Sequence, residues 1–193
     1  MTPADFGTFD AVVSVGAFEH FCSLEEYKAG NQEKVYGDFF AKVADLLPEG
    51  GRFYLQTMTF GKNMLPADAM DINAAKNSDE YLLALSAKHL PGSWLPYGSE
   101  MLINTAAPYF KMINISSGRL DYIETIRQWR KMLRRFNLKK YGLYLSLIIP
   151  LLKQKKLSHL WQVFRISPLM VCFEREIMEH YRVVFEKAAT TRT

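Results

Sequence analysis

The sequence predicts an α/β fold built on a largely parallel sheet. Three observations carry that reading. Residues 9–16, FDAVVSVG, are a short and nearly continuous apolar run with three valines, the pattern of a strand buried on both faces, as in a parallel sheet. Residues 34–47 then place Val35, Phe39, Val43, Leu46 and Leu47 at helical spacing, and Pro48-Glu49-Gly50-Gly51 stops that helix. Residues 52–57, RFYLQT, form a second strand. Strand, helix, glycine turn and strand make one unit of an α/β sheet.

The other elements follow in order. Residues 22–33 are polar, with Gly30 and Asn31 as breakers, and read as connection. Residues 60–78, with Pro66 and several Asn, Asp and Ala, read as a long loop of the kind that often serves as a lid. Residues 79–90 predict a helix closed by Pro91-Gly92, residues 99–107 another helix, and YFKMINI at 109–115 a third strand. Residues 121–136 set Tyr122, Ile126, Trp129, Leu133 and Phe136 on one stripe, with Arg127, Arg130, Lys131, Arg134 and Arg135 filling most of the rest. That helix is amphipathic and basic, with Trp129 read as core. Residues 170–178 predict a last helix and YRVVFEK at 181–187 a closing strand.

Composition sets limits on function. The chain has 193 residues, 49% apolar and 23% charged, which suits one globular domain over 1–193 and excludes a disordered one. Its net charge of +4 permits contact with anionic lipid without demanding it. No recognised motif accompanies the basic helix that would make it a nucleic-acid binder. Cys22 and Cys172 are not a spaced pair, so they read as buried hydrophobes in a reducing compartment rather than as a disulfide or zinc site. His89, His159 and His180 are scattered and suggest no metal cluster. The apolar stretch 141–152 is too short to span a membrane and contains Ser146 and Pro150. The N-terminus, MTPADFGTFD, has no apolar run of the signal-peptide kind. The expectation is a cytoplasmic protein, with peripheral membrane contact through the basic helix as its sharper form.

The segment FDAVVSVGAFEHF at 9–21 resembles a signature of the cyclopropane fatty acid and mycolic acid cyclopropane synthase family, class I S-adenosylmethionine (SAM) dependent methyltransferases. The resemblance continues in family order through LLPEGGRFYLQT (46–57), PGSWLPYGSEML (91–102), APYFKMI (107–113), RLDYIETIRQW (119–129) and EHYRVVFEK (179–187). It implies the C-terminal part of a doubly wound class I methyltransferase sheet, with helical lid insertions at about 60–107 and 121–178. Plant alkaloid N-methyltransferases share much of the pattern.

The resemblance also implies roles for particular residues. In these synthases a bicarbonate ion beside the reacting carbon acts as the base. The family's carboxylate and backbone contacts to it match Glu19 and Val15, and its tyrosine matches Tyr122, in the Y-x-x-T-x-x-x-W spacing of Tyr122, Thr125 and Trp129. The family's histidine at the end of the next strand is Gln56 here. Glutamine still hydrogen-bonds an anion but brings no positive charge. His20, beside Glu19, would help to orient a substrate. Taken alone, a Glu-His pair after a strand is ordinary loop polarity; within this block, at the carboxyl end of a strand where ligands bind in α/β sheets, it reads as a site.

A further departure concerns the cofactor. Class I methyltransferases open with a strand, a glycine-rich turn resembling G-x-G-x-G and an acidic residue for the SAM ribose, and no such pattern occurs here. The chain starts about where the family's fourth strand starts. The expectations are therefore threefold: methyl(ene) transfer to the double bond of a lipid acyl chain; N- or O-methylation of a small molecule; or a non-catalytic remnant that binds a lipid surface. A last expectation is structural. The strand at 11–15 would lie at a sheet edge, with its central neighbour missing.

Overall fold

Four strands form one sheet in the order β1-β2-β4-β3, in a computed structural model that describes residues 7–89, 92–139, 141–143, 145–146 and 166–189. β1 (Ala11–Val15) runs parallel to β2 (Arg52–Phe60), and β4 (Met178–Lys187) runs antiparallel to both β2 and β3 (Phe110–Ser117). A parallel pair needs a crossover. Here it passes through the short helix α1 (Leu24–Lys28) and then α2 (Gln32–Asp45). α3 (Asp79–His89) and α4 (Gly98–Ala106) lie between β2 and β3; α5 (Arg119–Arg134) and α6 (Ile166–Glu174) lie between β3 and β4.

The sheet's two faces are used differently. Phe53 and Leu55 of β2 and Val183 and Phe185 of β4 are fully buried on the face covered by α2 and α4. Phe40 of α2 sits 6.1 Å from Phe53 and 5.6 Å from Phe185, ring to ring, and Phe110 of β3 closes the cluster 5.7 Å from Phe53. Buried aromatic rings in edge-on and tilted contact supply much of the core's packing. On the opposite face Tyr54, Gln56 and Met58 lie across from Val184, Arg182 and His180, with α5 packed on β4 and on α6.

Several expectations shift. β2 runs three residues further than predicted, to Phe60, and β4 begins three earlier, at Met178, because they pair along their whole length. The polar stretch 22–33 holds a helix: Ser23 accepts from the Glu26 N–H at 3.1 Å while Glu26 accepts from the Ser23 N–H at 3.0 Å, a reciprocal cap. The last helix begins at Ile166 rather than 170. Trp129 is not core but 41% exposed. Burial on α5 stops at Ile126, so the ring one turn further on keeps only an edge contact with Tyr122, 6.4 Å away. β1 is not buried on both faces: its residues alternate between exposed and half-buried, and Val13 is 67% exposed. It is an edge strand of the described sheet, as expected. Pro91, His159 and the stretch 147–156 with Lys153, Lys155 and Lys156 lie outside the described residues.

Candidate active site

The site begins where β1 stops pairing. The Gly16 N–H makes the last bond to β2, donating to the Gln56 carbonyl at 3.1 Å, and Gly16 then turns the chain at φ +64°, a conformation that glycine adopts without strain. The turn Phe18–His20 follows. Its first residue drops into the core, where the Phe18 ring stacks 4.5 Å from Tyr36 and lies 5.0 Å from Phe39. Anchoring Phe18 directs the next side chain at β2. The Met58 N–H, two residues past the end of the β1 ladder, donates to Glu19 Oε1 at 2.8 Å. Glu19 thus takes the place of a strand partner. Its residue is only 3% exposed, and its second oxygen, Oε2, is buried with no hydrogen-bond partner.

Two further elements meet on the strand beside Met58. Register places His180 of β4 directly across from Met58. α5 brings Tyr122, whose ring stacks on the His180 imidazole at 5.1 Å and 12°, with Phe173 of α6 4.9 Å from the same tyrosine. Close approach at the start of α5 requires Gly118, where a Cβ would fall 2.5 Å from His180 Nδ1. His180 is 4% exposed, and its Nδ1 is buried without a partner. Burial first, and Arg182 second, push the His180 pKa below its ordinary 6.5, against the opposing pull of Glu179 and Asp121. Burial first, and then the charge of Glu19, push the Tyr122 phenol up. The result is a buried acid with one unused oxygen and, stacked on the neighbouring strand, a neutral imidazole and a protonated phenol. Such a group can accept a proton or orient a polar hydrogen in surroundings that exclude water.

Of the five residues read from the sequence, Glu19 and Tyr122 lie near enough for the charge of Glu19 to act on the phenol. Gln56 lies on the same sheet face as Met58, and its Oε1 accepts from the Tyr54 hydroxyl at 3.0 Å. Val15 ends β1 with an exposed side chain and enters the site only by placing the turn that holds Glu19. His20 points elsewhere: it is exposed, and its Nδ1 lies 2.7 Å from Ser93 Oγ in the lid-like segment. The residue that sequence reasoning passed over is His180. Its one signal was its place on a predicted strand beside other matched positions. Cys22 and Cys172 are buried, and burial raises each thiol to about 11, so both stay protonated. Among the described residues no group of three or more His, Cys, Asp and Glu is arranged to hold a metal.

The donor set bears on the implied cofactors. Among the described residues no strand leads into a glycine-rich turn; β1 ends in the single Gly16, and Gly50 and Gly51 follow a helix. These residues offer SAM one wall, at the carboxyl end of β1, and not the cradle for its ribose and adenine. For bicarbonate, Gln56 and Glu19 Oε2 offer a donor and an acceptor, and no lysine or arginine among the described residues hydrogen-bonds Glu19. Beside the site, Phe60, Met64, Met70, Leu83, Trp94 and Met178 line an apolar cavity of about 30 Å³.

Comparison with known proteins bears on the family and the fold. Residues 4–146 match the model of the mycolic acid cyclopropane synthetase family. The S-adenosylmethionine-dependent methyltransferase UmaA of Mycobacterium tuberculosis is 26% identical over 121 residues, covering 62% of this chain and 38% of that protein. Cyclopropane mycolic acid synthase 2 of Mycobacterium bovis is 26% identical over 125 residues, covering 65% and 40%. The chain thus spans less than half the length of the curated relatives it matches. Among solved structures, the cyclopropane synthase MmaA2 from Mycobacterium tuberculosis superposes with a TM-score of 0.66 at 19% identity, over 94% of this chain and 56% of that one. Mycolic acid cyclopropane synthase CmaA1, in complex with SAH and CTAB, gives 0.61 at 20%, over 94% and 56%. These likenesses show the fold, that of the class I methyltransferases, and the sheet order and the Glu19 turn are read on it. With three-quarters of its length inside the family model, this chain belongs to the mycolic acid cyclopropane synthetase family.

Proposed function

We propose that the protein is a SAM-dependent methyltransferase that transfers a methyl(ene) group to the double bond of a lipid acyl chain, in the cytoplasm. SAM, when bound, supplies an electrophilic methyl on a sulfonium. Transfer of that methyl to the alkene, with loss of the thioether, would leave a carbocation on the acyl chain. Ring closure then needs a proton removed from the new methyl. The observation that carries this reading is Glu19: a buried carboxylate with one oxygen fixed by the Met58 N–H and the other unpartnered. Glu19 accepts that proton directly, or through a bicarbonate held between its free oxygen and the Gln56 amide. Tyr122 presents an aromatic ring near the developing cation, a favourable placement. The apolar cavity beside the site suits an acyl chain in character, and at about 30 Å³ it holds only a small part of one.

Gln56 favours a second reading. With the cationic partner of an anionic base replaced by an amide, Glu19 serves equally well to orient or deprotonate an amine, as in N-methylation of a small molecule. The absence of a glycine-rich turn among the described residues favours the third, a non-catalytic module. One experiment separates the three. The protein is incubated with methyl-labelled SAM and cis-unsaturated phospholipid vesicles, and released fatty acids and small amines are analysed by mass spectrometry. A labelled methylene on the acyl chain supports the lipid reading, and label on an amine nitrogen the second. No product, together with no heat on calorimetric titration of SAM, leaves the non-catalytic module.

A further inference from the structure

The charge of this chain is segregated. Residues 127–146 hold seven of its 24 Lys and Arg and none of its 20 Asp and Glu. That short segment therefore carries +7, while the remainder, with 17 cations against 20 acids, carries −3. The second half of α5 displays part of this charge in one shallow groove lined by Arg127, Arg130, Lys131 and Arg134. Arg127 is engaged by Glu174 at 3.1 Å and Glu124 at 3.8 Å, so Arg130, Lys131 and Arg134 supply the outward field.

Exposed apolar groups concentrate in the same stretch. Seven of the fourteen exposed large hydrophobic residues described fall between 129 and 145; Phe136 is 71% and Leu138 75% exposed. Folding leaves such side chains in water only at a cost. Cations interleaved with Trp129, Phe136, Leu138 and Tyr141 match the chemistry of one surface, an anionic bilayer. There phosphates meet the cations, and the headgroup boundary takes aromatic and aliphatic side chains.

We propose that the second half of α5, with the exposed Phe136 and Leu138 that follow it, docks the protein on an anionic lipid bilayer. The placement has a use. Tyr122 and Arg130 are eight residues apart on one helix, so about 12 Å along its axis separates the docking surface from the candidate site. The docking surface stands independently of the methyl-transfer reading, because binding is measured without turnover and the two fail separately.

The test is co-sedimentation of the full chain with vesicles of phosphatidylcholine mixed with phosphatidylglycerol, and with vesicles of phosphatidylcholine alone. Binding to the first and not the second is expected, weakening as salt rises. Each cation near such a surface contributes about fivefold in partitioning, so the variant Arg130→Gln/Lys131→Gln/Arg134→Gln loses about 100-fold. A second variant, Phe136→Ser/Leu138→Ser, weakens binding while keeping its salt dependence. Circular dichroism confirms that each variant is folded; should the triple variant not fold, the salt dependence of the unmodified chain decides. Equal binding to both vesicles, no binding to either, or binding insensitive to salt and to the glutamines overturns the proposal. So does a single-stranded RNA that binds the chain more tightly than the vesicles at the same salt.

Discussion

The two edges of the sheet are built to different specifications. β3 carries Lys111, Asn114 and Ser116, and its register slips between Met112 and Asn114, leaving Ile113 outside the ladder. Charge, polarity and an irregularity are the usual devices by which an edge strand refuses a further partner. β1 has none of them. AVVSV is apolar apart from Ser14, and neither its register nor its composition blocks another strand. Both edges are nevertheless anchored alike by a buried phenylalanine: Phe110 at the start of β3, and Phe18 just past the end of β1. The difference lies in the outward side alone. β3 is finished as an edge. β1 is composed for an interior position and has the candidate site at its carboxyl end.

That comparison can be broken first at the anchors. Phe18→Ala and Phe110→Ala each remove a fully packed ring and should each destabilise the fold by about 3–5 kcal/mol, measured by urea unfolding. Comparable losses support equal anchoring; a small loss at Phe18 would show that the β1 end is held by something else. Glu19→Gln should leave stability nearly unchanged but lower methyl transfer about 100-fold or more, in the range for loss of a positioned acid–base group, as read from initial rates. An equal loss from Ser117→Ala, at the end of β3, would remove the contrast between the two edges.

Association tests the outward sides. The unmodified chain should self-associate through β1, and Val13→Lys should shift it toward monomer in size-exclusion chromatography with light scattering, whereas Ile113→Lys on β3 should change little. A monodisperse monomer of the unmodified chain would refute the edge argument. The smallest effect expected is in pH dependence. Because the folded pKa of His180 lies below 6.5, the unfolded chain binds the proton more readily. Stability from this group is thus complete above pH 6.5 and declines as pH falls toward the folded value. His180→Phe should flatten that part of the stability–pH curve.

The sequence made the parallel β1–β2 pair and the strand and helix blocks on either side of it legible, because each rests on a local pattern: an apolar run, a glycine turn, a helix stripe; the antiparallel pairing of β4 with β2 and β3 left no such mark. What escaped reading was non-local or subtle. His180 meets Tyr122 only because β4 inserts beside β2 with Met58 opposite it; that register spans 122 positions of sequence and leaves no mark in either segment. The reciprocal cap at Ser23 and Glu26 was present as S-x-x-E, but the segment's polarity outweighed it. Trp129 was misread for a different reason: a helical stripe shows which side faces inward, not how far along the helix the interior extends.

The strand order also has a consequence in time. Among the described residues β3 has one strand neighbour, β4, which also pairs with β2 on the side away from β1. On the ribosome, β1, β2 and their connecting helix can assemble early, since their contacts are close in sequence. β3 emerges with nothing to pair with, and its ladder waits until β4 has been synthesised and threaded between two strands already made. Pairing across such separations is slow, and meanwhile β1 and β2 present open apolar edges, the condition under which nascent chains aggregate or engage chaperones.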